Sequence, residues 1–246
     1  MPVLQWQFER RSQSRSLIIR APKGKEVGFE NFFAKKPDPR ISRYMSLDTT
    51  AANRLRNHFD NHQQVWLFGY GSLIFKADFP FSARRPASVS GWTRRFWQGS
   101  HDHRGTALAP GRVLTLVPQS ESICSGMAYL IRPGVVEQLD YREKNGYLRV
   151  VTPMQFDDGS GAEGLTYIAD AENGAYLGPA SELQIARQIA AAVGPSGPNR
   201  DYLRDLANAL RAMGKDDAHV FGIERLLNQV LGNTAVAASN LSHHTN

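Results

Sequence analysis

Apolar and polar positions follow a strand-like rhythm through the middle of the chain and a helical one toward its end. The run Val65-Trp66-Leu67-Phe68 has the length and the aromatic and β-branched content of a buried strand. The same patterning predicts strands over 65–70, 89–98, 112–117, 126–131, 149–156 and 164–169, with clusters of Gly, Pro, Asp and Ser between them. One helix interrupts this series, over 133–145: Pro133 suits a helix start, and Gly146 stands where a left-handed residue closes the last turn. Beyond 180 the period becomes helical. Ser181 is placed to cap a helix whose Leu183, Ile185, Ala186, Ile189 and Val193 face inward and which stops at Gly194-Pro195. Asn199 is placed to cap a second with Leu203, Leu206 and Leu210 inward, and Asp216 or Asp217 a third with Val220, Ile223, Leu226 and Leu227 inward. Many strands and few helices among them give an α+β expectation: a small, curved, barrel-like, mostly antiparallel sheet with peripheral helices.

The ends of the chain read differently. Residues 1–60 mix basic residues with Pro22, Pro37 and Pro39 and hold no sustained period, so they are expected to form a partly flexible N-terminal extension. Within it, Asp48 followed by Ala51, Ala52, Leu55 and Phe59 predicts a short amphipathic helix. Residues 61–231 are expected to form the folded domain, the three helices packing on the sheet rather than standing alone. Residues 232–246, rich in Ser, Asn and Thr, are expected to be a disordered tail, and the adjacent His243 and His244 lack a third ligand for a metal.

Charge changes this picture in one place. The chain of 246 residues has a net charge of +6, but residues 1–60 carry 12 Lys and Arg against 6 Asp and Glu, while the remainder is balanced at 17 and 17. The excess therefore belongs to the extension, where solvated charge is favoured over a nucleic-acid or membrane contact. Locally, Arg84, Arg85, Arg94, Arg95, Arg104 and Arg112 face only Asp102 between positions 80 and 120, a field that favours an acidic small ligand. No stretch approaches the ~20 apolar residues that cross a bilayer, and the start lacks the apolar core of a signal peptide. The expected location is cytoplasmic. The lone Cys124 lies in an apolar-leaning run and is read as a packed thiol.

Two stretches carry candidate chemistry. In Gly69-Tyr70-Gly71-Ser72-Leu73-Ile74 a strand ends in a loop that two glycines leave bare, and backbone N–H groups of such a loop can converge on a carboxylate or phosphate. Ser72 is not a hydrolase nucleophile, since the required second glycine is replaced by Ile74. On the helix over 133–145, Val136, Leu139 and Glu143 share one stripe, so a carboxylate ends an apolar face. Burial would raise its pKa toward the range of a general base; the competing reading is an ion pair with Arg142, Arg149 or another arginine. His101 and His103 lack the further ligands a metal site needs.

Taken together with Arg94-Arg95-Phe96-Trp97-Gln98-Gly99-Ser100, Asp102-His103-Arg104-Gly105-Thr106, Pro110-Gly111-Arg112-Val113, Tyr141-Arg142-Glu143-Lys144 before Gly146-Tyr147, and Tyr176-Leu177-Gly178-Pro179, these stretches resemble the ChaC family of γ-glutamylcyclotransferases. The run Gly194-Pro195-Ser196-Gly197-Pro198-Asn199 and Tyr202-Leu203 match as well, so that the resemblance spans about 64–228; Asn145 stands where many members carry glycine. The resemblance implies the γ-glutamylcyclotransferase-like fold and cleavage of glutathione to 5-oxoproline and cysteinylglycine without metal or organic cofactor. It also implies a catalytic base at Glu143 and substrate contacts at Gly69, Tyr70, Gly71, Ser72, Leu73 and Ile74. Tyr70 is a candidate to line the cavity or steady an oxyanion. One of Arg94, Arg95, Arg104 and Arg112 is a candidate clamp for the distal carboxylate of glutathione, each with a structural ion pair as the alternative. Tyr147 and Tyr176 line the site or belong to core and rim. Other γ-glutamyl amines as substrates, and a binding module without turnover, stand as alternatives. Oligomeric state is left open.

Overall fold

The computed structural model describes residues 47–56, 59 and 62–242. The expectations for residues 1–46, and for the last four residues with His243 and His244, fall outside the described residues.

A short helix, α1 (Thr50–Arg54), precedes strand β1 (Val65–Gly69), which runs into a 3₁₀ turn (Ser72–Ile74). There follow β2 (Ala83–Ser100), β3 (Gly111–Ile131), α2 (Gly134–Arg142), β4 (Tyr147–Phe156) and β5 (Gly161–Ala169). Helix α3 (Glu182–Ala191), the short strands β6 (Val193–Gly194) and β7 (Gly197–Pro198), α4 (Asn199–Ala212) and α5 (Ala218–Ser242) complete the chain. Strands β1 to β5 close into a barrel in the order β1-β3-β2-β4-β5. Every neighbouring pair is antiparallel except β5 with β1, where Leu67 lies beside Leu165 in a parallel register. Closure leaves the barrel without an open edge, which a five-stranded sheet of this hydrophobicity would otherwise expose to aggregation. The α+β class and the barrel-like sheet are as the patterning predicts.

Three elements differ from expectation. Strand β3 is continuous where two strands are predicted, because the polar run 118–122 makes an excursion and then rejoins the same partner. The register slips between Ser90 and Trp92, Gly91 takes φ +80°, and Glu121 opposite takes φ +61°. The turn is real, but it is a bulge inside a ladder rather than the end of one. Helix α1 stops at Arg54, and its expected apolar face fails: Leu55 is 88% exposed while Asn53 is fully buried. Asn53 donates to the Tyr147 carbonyl (3.1 Å) and accepts from the Arg149 N–H (2.8 Å), so hydrogen bonds rather than a hydrophobic stripe seat the helix. Helix α5 runs to Ser242, past Gly232, where the sequence predicts the disordered tail to begin.

The C-terminal helices dock through most of their predicted stripes, but Leu183 and Val193 do not face inward: Leu183 is 39% and Val193 54% exposed, and α3 ends at Ala191, before Val193 enters β6. Ser181 and Gln184 form a capping box on α3, and Asp217 accepts from the Val220 N–H at 3.0 Å. Ile185, Ile189, Leu203, Leu206, Leu210, Val220, Ile223 and Leu227 belong to the same buried cluster as Leu67, Phe68 and Phe96 of the barrel. Asn199 does not cap α4; its buried side chain accepts from the Arg112 N–H (2.7 Å) and donates to the Arg112 carbonyl (2.9 Å), fixing the helix to β3.

Candidate active site

The loop after β1 has an unusual balance of donors and acceptors. Each carbonyl from Tyr70 to Ile74 accepts a hydrogen bond: Tyr70 from Arg94 (2.8 Å), Gly71 from the Ile74 N–H (3.0 Å), Ser72 from the Lys76 N–H (2.8 Å), Leu73 from the Tyr129 hydroxyl (2.6 Å) and Ile74 from Arg84 (3.2 Å). The N–H groups of Gly71, Ser72 and Leu73, by contrast, donate to no acceptor among the described residues. Satisfied carbonyls and unsatisfied amides leave a net positive backbone face, the condition for an anion nest. Gly71 keeps that face open, since a Cβ there would lie 3.0 Å from the Tyr202 hydroxyl. The side chains of Leu73 and Ile74 are buried, so these two residues reach the site through backbone alone. Gly69 ends the strand, and a Cβ there would lie 2.5 Å from that of Leu73.

Glu143 is the residue that ends α2, its N–H donating to the Leu139 carbonyl at 2.8 Å. Gly146 takes the expected left-handed φ of +91°, but the helix predicted to reach 145 has already ended at Arg142, so Gly146 turns the chain into β4 rather than closing the helix. The Glu143 side chain is 17% exposed, with Oε1 3.3 Å from Arg142 Nε. Burial pushes its carboxyl above the usual range and the negative Asp78 adds to this, while the Arg142 guanidinium pulls the other way. Both sequence readings are therefore realised at once: an ion pair exists, and burial outweighs it. Arg142 also donates to the Ser72 hydroxyl (3.1 Å) and pairs with Asp78, linking the end of α2 to the loop after β1. Arg149 is occupied elsewhere, in a buried pair with Asp140 (2.5 Å).

Three phenols gather around this carboxylate: burial pushes each upward, and the charge of Glu143 adds to the rise. The Tyr70 hydroxyl donates to the Tyr167 carbonyl (2.6 Å) and the Tyr147 hydroxyl to the Leu114 carbonyl (2.6 Å). The donor role considered for Tyr70 is thus taken by the backbone. Tyr202 is pushed up to about 12, burial and the charge of Glu143 outweighing a hydrogen bond from the Leu114 backbone. The inward stripe read from the sequence, Leu203, Leu206 and Leu210, does not include it, and only the Tyr202-Leu203 match pointed to it.

The four candidate arginines separate clearly. Arg94 is buried under the loop and ion-paired to Asp217 at 2.9 Å. Arg112 spends its nitrogens on Gln188 (2.7 Å) and on the carbonyls of Phe96 (2.8 Å) and Gly178 (3.0 Å). Arg95 turns to Thr93 (2.8 Å) and Gln119 (3.1 Å). Arg104 alone lies against a phenol of the site, its guanidinium 5.9 Å from the Tyr202 ring centre. Tyr176 packs on Trp97, ring centres 6.5 Å apart, at the rim. Burial raises the Cys124 thiol, consistent with a packed residue. Among the described residues no three His, Cys, Asp or Glu side chains gather as a metal site, and no helix is long and apolar enough to cross a membrane.

Comparison with known proteins gives a consistent result. A family-wide sequence profile, described as ChaC-like protein, matches residues 65–230. Gamma-glutamylcyclotransferase 2-3 of Arabidopsis thaliana is 40% identical over 197 residues, 72% of this chain and 99% of that one. Glutathione-specific gamma-glutamylcyclotransferase 1 of Homo sapiens is 40% identical over 186 residues, 71% of this chain and 83% of that one. The crystal structure of a yeast γ-glutamyl cyclotransferase specific to glutathione superposes with a TM-score of 0.65 at 30% identity, covering 68% of this chain and 97% of that one.

Proposed function

The chain belongs to the ChaC-like family, and from that premise we propose that it cleaves glutathione into 5-oxoproline and cysteinylglycine, with Glu143 as the proton-transfer group and the loop after β1 as the cradle. The observation that carries this reading is the pairing of a largely buried carboxylate of raised pKa with backbone N–H groups that meet no acceptor among the described residues, joined through Arg142 and Ser72.

The γ-glutamyl group holds both reactants. Its α-amine closes on its own γ-carbonyl, a five-membered lactam forms, and the bond to the cysteine nitrogen breaks. No water is consumed. Ring closures of this kind reach effective molarities of ~10⁵ M or more once the chain is held folded, so the protein's tasks are posing and proton traffic. The N–H groups of Gly71, Ser72 and Leu73 hold the α-carboxylate, which leaves the α-ammonium facing Glu143. The carboxylate takes a proton from that ammonium, freeing the lone pair for attack, and returns it to the departing nitrogen; the second proton, which the ring nitrogen sheds on becoming a lactam, passes to the released amine, so the enzyme ends as it began. The Tyr202 hydroxyl supplies a donor to the oxyanion between these two transfers. The reaction as written needs no cofactor. A glutathione-consuming protein with a single buried thiol belongs in a reducing compartment, and the location proposed is the cytoplasm.

Purified protein incubated with glutathione is expected to release 5-oxoproline. Glu143→Gln is expected to bind glutathione while turnover falls at least about a hundredfold, the scale of a lost general base. Turnover near that of the parent would overturn the assignment.

A further inference from the structure

We propose that a groove beside the loop after β1 is the subsite for the distal, carboxylate-bearing end of the substrate, with Arg104 and Lys76 as its anion contacts; this rests on the cyclotransferase reading. The groove has a volume of about 580 Å³ and is lined by Phe75, Lys76, Arg104, Asp205 and Asn208 among others. Tyr202 touches residues of both the groove and the cradle. The Phe75 ring stands edge-on to Tyr202 with centres 5.8 Å apart, and the Arg104 guanidinium lies 5.9 Å from the same ring. On its other side, the Tyr202 hydroxyl is the atom nearest the position a Gly71 side chain would take.

The two cations are anchored to the catalytic framework but uncommitted in charge. Lys76 continues the 3₁₀ turn: its N–H donates to the Ser72 carbonyl (2.8 Å) and its carbonyl accepts from Arg142 (3.4 Å). Arg104 gives one nitrogen to the Pro198 carbonyl (3.2 Å). Neither has a carboxylate within ion-pair distance among the described residues, whereas Arg94, Arg142 and Arg149 each have one. Against the single acid Asp205 they leave the groove positive, and the potential favours a bound anion. The chemistry of glutathione supplies that anion at a matching place. Beyond the γ-carbonyl the substrate continues through cysteine and glycine, a reach of roughly 7 Å when extended, and ends in a carboxylate. The neighbouring cavity of about 490 Å³ is not an alternative, since its Arg84 is spent on the Ile74 carbonyl (3.2 Å) and the Tyr129 ring (5.8 Å).

The test compares kcat/KM for glutathione and for its glycine amide, which lacks the terminal charge. The parent enzyme is expected to prefer glutathione by roughly tenfold or more, the scale of one charge-assisted hydrogen bond. Arg104→Met and Lys76→Gln are each expected to bring that ratio toward one, through KM for glutathione, while Arg95→Met keeps the parent ratio. Lys76 is exposed, so its variant reports even where the arginine variant fails to fold. Equal use of the two compounds by the parent, or an unchanged ratio in both groove variants, would overturn the subsite alone. Absence of 5-oxoproline from either compound would overturn the reaction and the subsite with it.

Discussion

Glu143 sits where its chemistry and its stability conflict. Its carboxyl is raised above 4.5 in the folded protein, burial being the largest cause. The folded state therefore binds this proton more tightly than the unfolded chain. Stability linked to the group is fully present below the unfolded value and is lost as pH rises through the folded one. Glu143→Gln is accordingly expected to melt with the parent under acid conditions and above it near neutrality, which thermal denaturation across a pH series would measure. A variant that melts lower at neutral pH would show that the Arg142 pair outweighs burial. Catalysis takes the opposite sign: kcat/KM is expected to rise with pH as the carboxylate ionises, with an acid limb above the ordinary glutamate range. The burial of this residue was legible in the sequence because helical spacing puts it on the stripe of Val136 and Leu139. Arg104 was not separable from Arg94 and Arg112, because what distinguishes them is the partner each meets from distant segments, such as Asp217 or Gln188.

Among the elements, α1 and its N-terminal flank have an unexpected task. They lie before residue 65, outside the stretch the family profile covers, yet they clasp the turn that follows Glu143. The Thr49 N–H donates to the Lys144 carbonyl (2.9 Å), its hydroxyl lies 3.0 Å from that carbonyl and 2.8 Å from that of Tyr147, and the Gly146 N–H donates to Leu47 (3.1 Å). Thr49→Val keeps shape and deletes the hydroxyl, while the Lys144 carbonyl retains the Thr49 N–H and the Tyr147 carbonyl retains Asn53. The expected cost is about 0.5–1.5 kcal/mol of stability, with kcat reduced more than KM because Glu143, the proposed proton-transfer group, loses part of its fixed frame. Unchanged kcat in a folded variant would confine the clasp to stability. Periodicity found this helix but misjudged what seats it, since it looks for an apolar face, and here the residue the helix buries is Asn53. Strand β3 was misread for a related reason: a polar bulge and a polar turn look alike until the partner strand is known. The end of β1 and the cap of α3 were read correctly because their determinants, glycines and a Ser-Gln capping box, are local.

At the scale of the whole molecule, charge and catalysis occupy different parts of the chain. The net excess of basic residues lies within residues 1–60, while every group assigned to the cradle, the base and the distal groove lies between Gly69 and Asn208. Residue 60 is nevertheless the wrong place to separate them, because the clasp on the turn after Glu143 begins at Leu47. Two truncations distinguish the contributions. A chain that starts at Leu47 retains Thr49 and Asn53 and is expected to keep the turnover of the full protein. A chain that starts at residue 61 loses both, along with the contacts of Asn53 to Arg149 (2.6 and 2.8 Å), and is expected to lose turnover. Both are expected to elute earlier from a polyanion column, since both shed most of the basic excess. If the shorter truncation abolishes turnover in a folded chain, the basic extension itself takes part in catalysis. If the longer one preserves it, the turn carrying Glu143 holds its place on the barrel unaided, and the clasp is dispensable for proton transfer.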